Sequence, residues 1–599
     1  MKKILLSITF ALMGIVSGFA AKAYSGIVTV TQSDGTELNV RIYGDEHFNW
    51  LTTEDGVLLV QEGNNYYIAE TTSYGTLKAT NYIAHNANQR VPAEIKAIKK
   101  QDLSRFRSYA IQKASPAKAM GTGNSGVKYF PHTGSPKALV ILVEFSDTPF
   151  QSGEKAKNVF EHFLKGNVED ALPDGYEAYT GSYKNKNLLR NKGSVSDYFY
   201  DMSKGTYTPQ FDVVGPYKLN HTSLYYGKGK KDNTYALVSD ACKAADKDVD
   251  FSRYDADGDG MVDLVYIIYA GYPASMSGNP NDIWPKSGPG DGGFGTYDGK
   301  QVCRYGVHAE LNFGRELNQK NGFLLSGIGL FCHEFSHTLG LPDLYPTVDA
   351  SKVDNQNPEM WDLMDGGEYT FNGGYCPTPY SPWELDVMGW TSPVELGDEP
   401  KQVTLNSYYK ERTAYKINGE NDEYLLIQNI QKGGWWNGIA NVYNTGMLIW
   451  RIDYGTKDVN LFDNPNNNIG KPKVMIVPAD GYVISDYNHG DGKQWTDDEY
   501  KKSLQGDPFP GTKKVTELLS VVLNNSTLEK PFYNIKETDG VITFDYLKDF
   551  ATGIDSPVIQ QNQEKDTRIF TLDGRYLGTD VSQLTKGVYI IGKKKVIIK

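Results

Sequence analysis

The sequence predicts a multidomain protein: an α+β core, a small α/β region before it, and β-rich regions after it. Three observations carry this expectation. The chain has 599 residues, too many for one hydrophobic core, so three or four domains are expected. Between residues 136 and 390 apolar strands alternate with helical patterns, whereas short strands separated by turn residues dominate from Leu396 onward. The stretch HEFSHTLGLPD, His333 to Asp343, places two histidines four residues apart on what must be one face of a helix.

Composition sets the outer limits. The chain is 39% hydrophobic and 22% charged, with 61 Gly and 41 Tyr, which suits a loop-rich, β-rich globular protein. A net charge of −12 argues against nucleic acid as a partner, because phosphate binding needs basic surface.

Taken in order, residues 1–23 read as a secretory signal peptide. Lys2 and Lys3 precede an apolar run from Ile4 to Phe19, and Ala21-Lys22-Ala23 follows, with cleavage after Ala20 or Ala23. The run is too short for a membrane anchor, no cysteine follows it for lipid attachment, and no other stretch is long enough to span a bilayer. The expectation is an exported protein without a transmembrane anchor. In that setting Cys242, Cys303, Cys332 and Cys376 could form two disulfides in any of three connectivities, or Cys332 could be a buried free thiol beside His333.

Residues 24–120 alternate strands with turn signals, including an SDG turn at Ser33-Asp34-Gly35. They then become Lys- and Ala-rich and end in the linker AMGTGNSGVK. This region is expected to be a pro-region that keeps the following domain closed until cleavage. It holds no cysteine, so latency has to come from an acidic side chain or from steric cover.

Residues 121–395 form the expected catalytic domain. ALVILVEFSD (Ala138 to Asp147) and LVYIIYAG (Leu264 to Gly271) are apolar strands of the buried kind. EKAKNVFEHFLKG has helical spacing with Val159, Phe160 and Phe163 on one face. Residues 194–217 read as a helix followed by a strand, and the segment Gly373 to Trp390 closes the domain with a helix. The Gly/Pro/Ser-rich loop 273–300 around NDIWPKS carries no assigned role.

DADGDGMVD, Asp255 to Asp263, matches the start of an EF-hand-like calcium loop. Asp255, Asp257, Asp259 and Asp263 supply oxygens, and the Met261 carbonyl is the expected backbone ligand. Tyr266 stands where that loop closes with a bidentate glutamate, so the ion would be completed through Asp263 or water. The alternative is a polar turn with an incidental acidic cluster.

The metal motif lies in HEFSHTLGLPD. His333 and His337 reach one ion, Glu334 sits close enough to take a proton from a metal-bound water, Gly340 lets the helix stop, and Asp343 supplies the third ligand. A fourth position of a tetrahedral zinc is thereby left for water, as a catalytic site requires. The bare HExxH pattern is weak evidence. The glycine and acidic residue at metzincin-like spacing, and Met364 in WDLMDGG as a turn beneath the metal, make chance less plausible. The alternatives are a core helix with hydrogen-bonded histidines and ordinary core packing for Met364.

These motifs resemble the immune inhibitor A family of secreted bacterial metalloproteases. The resemblance rests on HEFSHTLGLPDLY, WDLMDGGEY and SPWELDVMGW, supported upstream by SVSDYFYDMSKG, DADGDGMVDLVYIIYAG and NDIWP. Downstream it is supported by GMLIWRIDY and GDPFPG, and in all it covers roughly residues 24–548. It implies zinc on His333, His337 and Asp343, with Glu334 as the acid/base. Two departures stand out. Lys286 follows IWP where family members often have histidine, and no tyrosine lies two residues after Met364, so Tyr369 is the candidate to support the oxyanion.

Residues 396–550 read as a β-sandwich that either braces the protease or binds substrate, bracing being the favoured role. Residues 551–599 give strands around an Asp573-Gly574 turn and end in a basic strand. They resemble the C-terminal sorting domain of type IX secretion cargo, which implies outer-membrane export with the type IX machinery as partner, and possible attachment to the cell surface. Together these readings predict a metzincin-like zincin: a secreted endopeptidase that hydrolyses peptide bonds of extracellular proteins through a zinc-activated water, with calcium as a structural ion. The competing reading is a surface binding protein or adhesin on a protease-derived fold. A zincin with a distant glutamate as third ligand is a weaker variant.

Overall fold

A computed structural model describes residues 21–45, 48–114, 129–167, 171–179, 190–227, 233–290, 293–347, 358–455, 463–482 and 495–551, together with short strands within 569–598. The signal-peptide residues 1–20, the linker residues 115–128 and the Asp573-Gly574 turn lie outside the described residues. Residues as far as Leu547 belong to one compact unit, and Lys548–Lys599 to a second. Among the described residues no helix is long and apolar enough to cross a membrane.

The N-terminal region is a six-stranded antiparallel meander, from Val28–Thr31 to Leu77–Ile83 in chain order. Ser33–Gly35 forms the first turn, with Gly35 at φ +82, a conformation that glycine adopts without strain. Alternate residues Val28, Val30, Leu38, Val40 and Ile68 share one core with Ala274 and Trp284. The meander is therefore packed against the 273–284 loop of the following region. The Tyr66 hydroxyl also donates to the Gly278 carbonyl at 2.9 Å.

The central sheet is mixed and five-stranded, in the order Lys286–Pro289, Arg304–Ala309, Val265–Tyr269, Lys137–Glu144, Gln210–Lys218. The first pair is antiparallel and the other three are parallel. The continuous apolar runs at Lys137–Glu144 and Val265–Tyr269 are buried on both faces, as parallel strands covered by helices must be. Helix Thr234–Ala245 contributes to the core on one face. Helices Ala156–Lys165, Val195–Met202 and Ile328–Thr338 contribute to the core on the other, with Val159, Phe160 and Phe163 turned inward.

Helix Ile328–Thr338 is buried on every side. Phe331 stacks on Tyr266 of the central strand, with ring centroids 4.1 Å apart, and Phe335 packs on Phe130, Phe199 and Phe211. Its one glycine permits this depth. A Cβ on Gly329 would lie 2.0 Å from the Glu368 carbonyl oxygen, so the 366–374 turn approaches the helix only because that position is bare.

From Val394 onward a five-stranded sheet (Val394–Glu395, Tyr415–Asn418, Glu423–Ile430, Gly446–Asp453, Val474–Val477) faces a three-stranded one (Lys401–Leu405, Val541–Tyr546, Phe532–Thr538). Strand alternation decides which core each side chain joins. Leu425, Ile427 and Ile449 pack between the two sheets. Leu426, Leu448, Trp450 and Ile452 pack into the same cluster as the Ile328–Thr338 helix. The Trp361 indole donates to Asp507 at 2.8 Å, and Asn466 donates to the Leu344 carbonyl at 2.6 Å. The four cysteines are free and buried, so of the open alternatives for Cys332 the buried thiol is the one observed. In the second unit, strands Tyr576–Gly578, Ile569–Thr571, Gly587–Ile591 and Lys594–Ile598 pair antiparallel in that order.

Candidate metal centre and cleft

Helical spacing brings His333 and His337 side by side, their Nε2 atoms 3.2 Å apart. Asp343 Oδ1 lies 3.3 Å from one Nε2 and 3.2 Å from the other. The three donor atoms are within 4.8 Å of one another and fully or almost fully buried. The opposite ring nitrogens fix the tautomers. His333 Nδ1 faces the Leu363 carbonyl at 2.9 Å and His337 Nδ1 faces the Leu341 carbonyl at 2.7 Å. A carbonyl only accepts, so each Nδ1 carries the proton and each neutral ring presents a lone pair at Nε2. Two lone pairs and a carboxylate converging in a buried space repel one another until a cation lies between them, and two imidazoles with one carboxylate are a donor set that suits zinc.

The chain leaves the helix at Gly340, φ +105, and turns so that Asp343 comes back to the histidines. Burial alone would raise the Asp343 pKa, but the two imidazoles, when protonated, outweigh it and hold it down to about 2. Burial lowers the His333 pKa; in His337 the same effect is outweighed by Asp343, and the pKa rises. Met364 lies buried in the turn from Asp362 to Asp365. Its amide donates to Asp362 at 2.8 Å and its carbonyl accepts from Leu344.

Glu334 is fully buried next to this group. Burial pushes its carboxyl up to about 8, against the pull of His337 and of a backbone amide. That amide belongs to Ala21, whose N–H donates to Glu334 Oε1 at 2.7 Å. Residues 21–24 are seated in the cleft. The Trp284 indole donates to the Ala21 carbonyl at 2.9 Å, and the Tyr369 hydroxyl to the Lys22 carbonyl at 2.7 Å. The amides of Ala23 and Tyr24 bond to the carbonyls of Gly44 and Ser275. Tyr24 packs edge-on against Tyr369 and Phe313.

Sequence reasoning gave no role to several groups here. Glu368 lies 3.4 Å from His333 Nδ1, and burial raises its pKa strongly. Ser287, on the antiparallel edge strand, donates to the Glu334 carbonyl at 2.6 Å and ties helix to sheet. Lys22, Trp284, Glu359 and Asp365 line the cleft. The quoted stretches NDIWP and WDLMDGGEY contain Trp284, Asp365 and Glu368, but no spacing rule points to them.

At the acidic loop the structure gathers Asp255, Asp257 and Asp263 within reach of one ion. Asp259 is outside that group, and its carboxylate caps the Met261 amide. Met261 opens a two-residue strand paired with Gln301. Lys300, which sequence reasoning missed, pairs with Asp255 at 2.6 Å and lowers its pKa. Burial, with the charges of the neighbouring aspartates, raises Asp263 to about 6.

Comparison with known proteins gives a family match over the same stretch. Residues 128–390 match the family described as immune inhibitor A peptidase M6, catalytic domain. Immune inhibitor A of Bacillus thuringiensis subsp. alesti is 27% identical over 322 residues, 45% of this chain and 43% of that protein. The pre-pro-metalloprotease PrtV of Vibrio cholerae serotype O1 (strain M66-2) is 24% identical over 315 residues, 45% of this chain and 32% of that protein. The match thus spans less than half the length of either relative.

Proposed function

The chain belongs, through residues 128–390, to the immune inhibitor A peptidase M6 family, and from that premise we propose that it is a zinc-dependent endopeptidase exported as a latent precursor. The observation that carries the reading is the convergence of His333, His337 and Asp343 beside the buried Glu334. Zinc, when bound, supplies a Lewis acid that polarises the scissile carbonyl and lowers the pKa of water to about 7. The remaining work falls to the chain. His333, His337 and Asp343 hold the ion, with their outer nitrogens anchored on backbone carbonyls. Glu334 takes the proton of the attacking water and passes it to the leaving amine. Tyr369, whose hydroxyl already donates to a peptide carbonyl in the cleft, is the donor for the developing oxyanion.

The same contacts support latency by steric cover. A peptide group lies against Glu334 where a substrate would, and Trp284 and Tyr369 hold its neighbours. Signal cleavage after Ala20 turns the Ala21 amide into a terminal ammonium facing Glu334 and leaves the Trp284 and Tyr369 contacts in place, whereas cleavage after Ala23 removes all three. Residues 396–547 brace the protease through the shared core. The aspartate loop holds a structural calcium through Asp255, Asp257 and Asp263, and residues 551–599 serve as a type IX sorting tail. The apolar run at residues 4–19 and the pre-pro form named for the Vibrio relative support an extracellular destination.

The test is casein cleavage by the zinc-loaded protein freed of residues 1–120, beside its Glu334→Ala twin. Cleavage by the first and a loss of roughly 10²–10⁴-fold or more in the second, with zinc retained, is the expected result. Equal turnover by both would remove Glu334 from the chemistry.

A further inference from the structure

We propose that Glu359 and Asp365 form a subsite for a lysine or arginine side chain of the substrate, and that Lys22 is its intramolecular stand-in. The inference rests on the peptidase reading of the cleft and adds the substrate class to it. The Lys22 ammonium lies 2.6 Å from Asp365 Oδ1 and 3.4 Å from Glu359 Oε2. The lysine is 2% exposed and both carboxylates are completely buried. More than three hundred residues of chain separate the lysine from either carboxylate, so this is a distant cation seated in a formed pocket rather than a local charge cluster.

Its position in the cleft is what makes it a subsite. Lys22 follows directly on Ala21, whose amide meets Glu334, and the Lys22 carbonyl is held by Tyr369. A side chain one residue away from a peptide group at the general base is where an extended substrate presents a specificity-determining group. The walls are also fixed by contacts of their own. The Glu359 amide donates to Asp365 Oδ2 at 2.8 Å, and the Tyr500 hydroxyl donates to Glu359 Oε2 at 2.9 Å. Glu359 is held at φ +51, a conformation costly for a non-glycine residue and kept only where the surroundings enforce it. With residues 21–24 withdrawn, two buried carboxylates face the cleft together. A substrate ammonium or guanidinium takes the place of the Lys22 charge, whereas a neutral side chain leaves that charge unreplaced. Discrimination of at least tenfold follows, because a ligand that cannot re-form the buried charge pair forgoes its contribution.

The test uses the full-length zinc-loaded chain lacking residues 21–24, with two readouts. One is kcat/KM across a peptide library varied at each position around the cleaved bond. The other is binding of labelled Ala-Lys-Ala-Tyr against Ala-Met-Ala-Tyr, read by anisotropy and independent of turnover. The expected result is a preference of at least tenfold for Lys or Arg at one position within two residues of the cleaved bond, falling to about twofold or less in Asp365→Asn. Continued cleavage of neutral peptides by the variant shows that it is folded. A flat profile in the parent protein, or a preference unchanged in Asp365→Asn, overturns the proposal. Should no peptide be cleaved, the peptidase reading fails and the binding arm decides alone: tighter binding of the lysine peptide, lost in Asp365→Asn, supports the subsite, and equal binding refutes it. If Asp365→Asn does not fold, Glu359→Gln takes its place with the same outcomes.

Discussion

The backbone N–H of Ala21 donates to Oε1 of Glu334 at 2.7 Å, joining two residues 313 positions apart. The group expected to move the proton in peptide hydrolysis is thereby already engaged by a peptide of its own chain. Deleting residues 21–24 from the full-length zinc-loaded chain should let a small peptidyl hydroxamate bind. The expected outcome is a rise in melting temperature with hydroxamate in the deletion variant and none in the parent. Equal shifts in both would mean that the segment does not cover the site.

Metal retention should depend on all three donors. His337→Ala leaves two ligands for an ion that takes three from the protein in an open catalytic site. Zinc affinity should fall by more than the roughly 10–100-fold that losing an outer partner costs. Metal content after dialysis checks this, and full occupancy in the variant would refute the ligand set. Asp343→Ala should behave alike; retained zinc and turnover there would point to a more distant third ligand.

Glu310 should make the fold pH-sensitive. It is completely buried, accepting from Tyr179, Gln151 and Gly271, and burial pushes its pKa from 4.5 up to about 7. An acid raised in the folded state keeps its proton while the unfolded chain loses it. Its contribution is therefore greatest below pH 4.5 and declines as pH rises toward 7, by about 3 kcal/mol at most. Glu310→Gln carries no such proton, so the difference in stability between parent and variant should narrow or reverse between pH 7 and pH 5. A pH-independent difference in denaturant midpoints would contradict the assignment.

Close approach at Gly329 should be intolerant of a single methyl. Gly329→Ala puts a Cβ against the Glu368 carbonyl oxygen at 2.0 Å, a backbone atom that cannot swing aside. A loss of at least roughly 1–3 kcal/mol is expected from overpacking, read as a lower denaturant midpoint. A neutral substitution would mean that the 366–374 turn is free to move.

The aspartate loop should respond to calcium. At a calcium concentration one hundred times Kd, stabilisation of about 2.7 kcal/mol follows from mass action. The melting temperature in calcium should therefore exceed that in EGTA with zinc buffered constant, and Asp257→Asn should abolish the difference. No difference in the parent protein would leave Lys300 as the loop's cation.

What the sequence made legible was local. His333, Glu334 and His337 are related by helical spacing, and Asp343 by one short turn, so their convergence could be read before any fold was known. Strand alternation did the same for Glu423–Ile430 and Gly446–Asp453. Groups assembled by tertiary folding were not readable. Lys22 looked like part of a leader's end, because nothing in Ala21-Lys22-Ala23 points to Asp365. Lys300 lies too far along the chain from Asp255 to be paired with it by inspection. The count of four cysteines allowed disulfides, and only the fold shows all four as free thiols. The two-sided burial of the Glu423–Ile430 strand was hidden too, since an apolar run does not say which core each face joins.

The shared core has a consequence for descent. Leu426, Leu448 and Trp450 pack in one cluster with Phe331 and Phe335 of the metal helix, although the recognisable family segment stops at residue 390. A recombination event at that border would hand the recipient a half-exposed apolar layer instead of an independent module. Grafts of residues 128–390 should therefore succeed only when they carry the β-sheets with them.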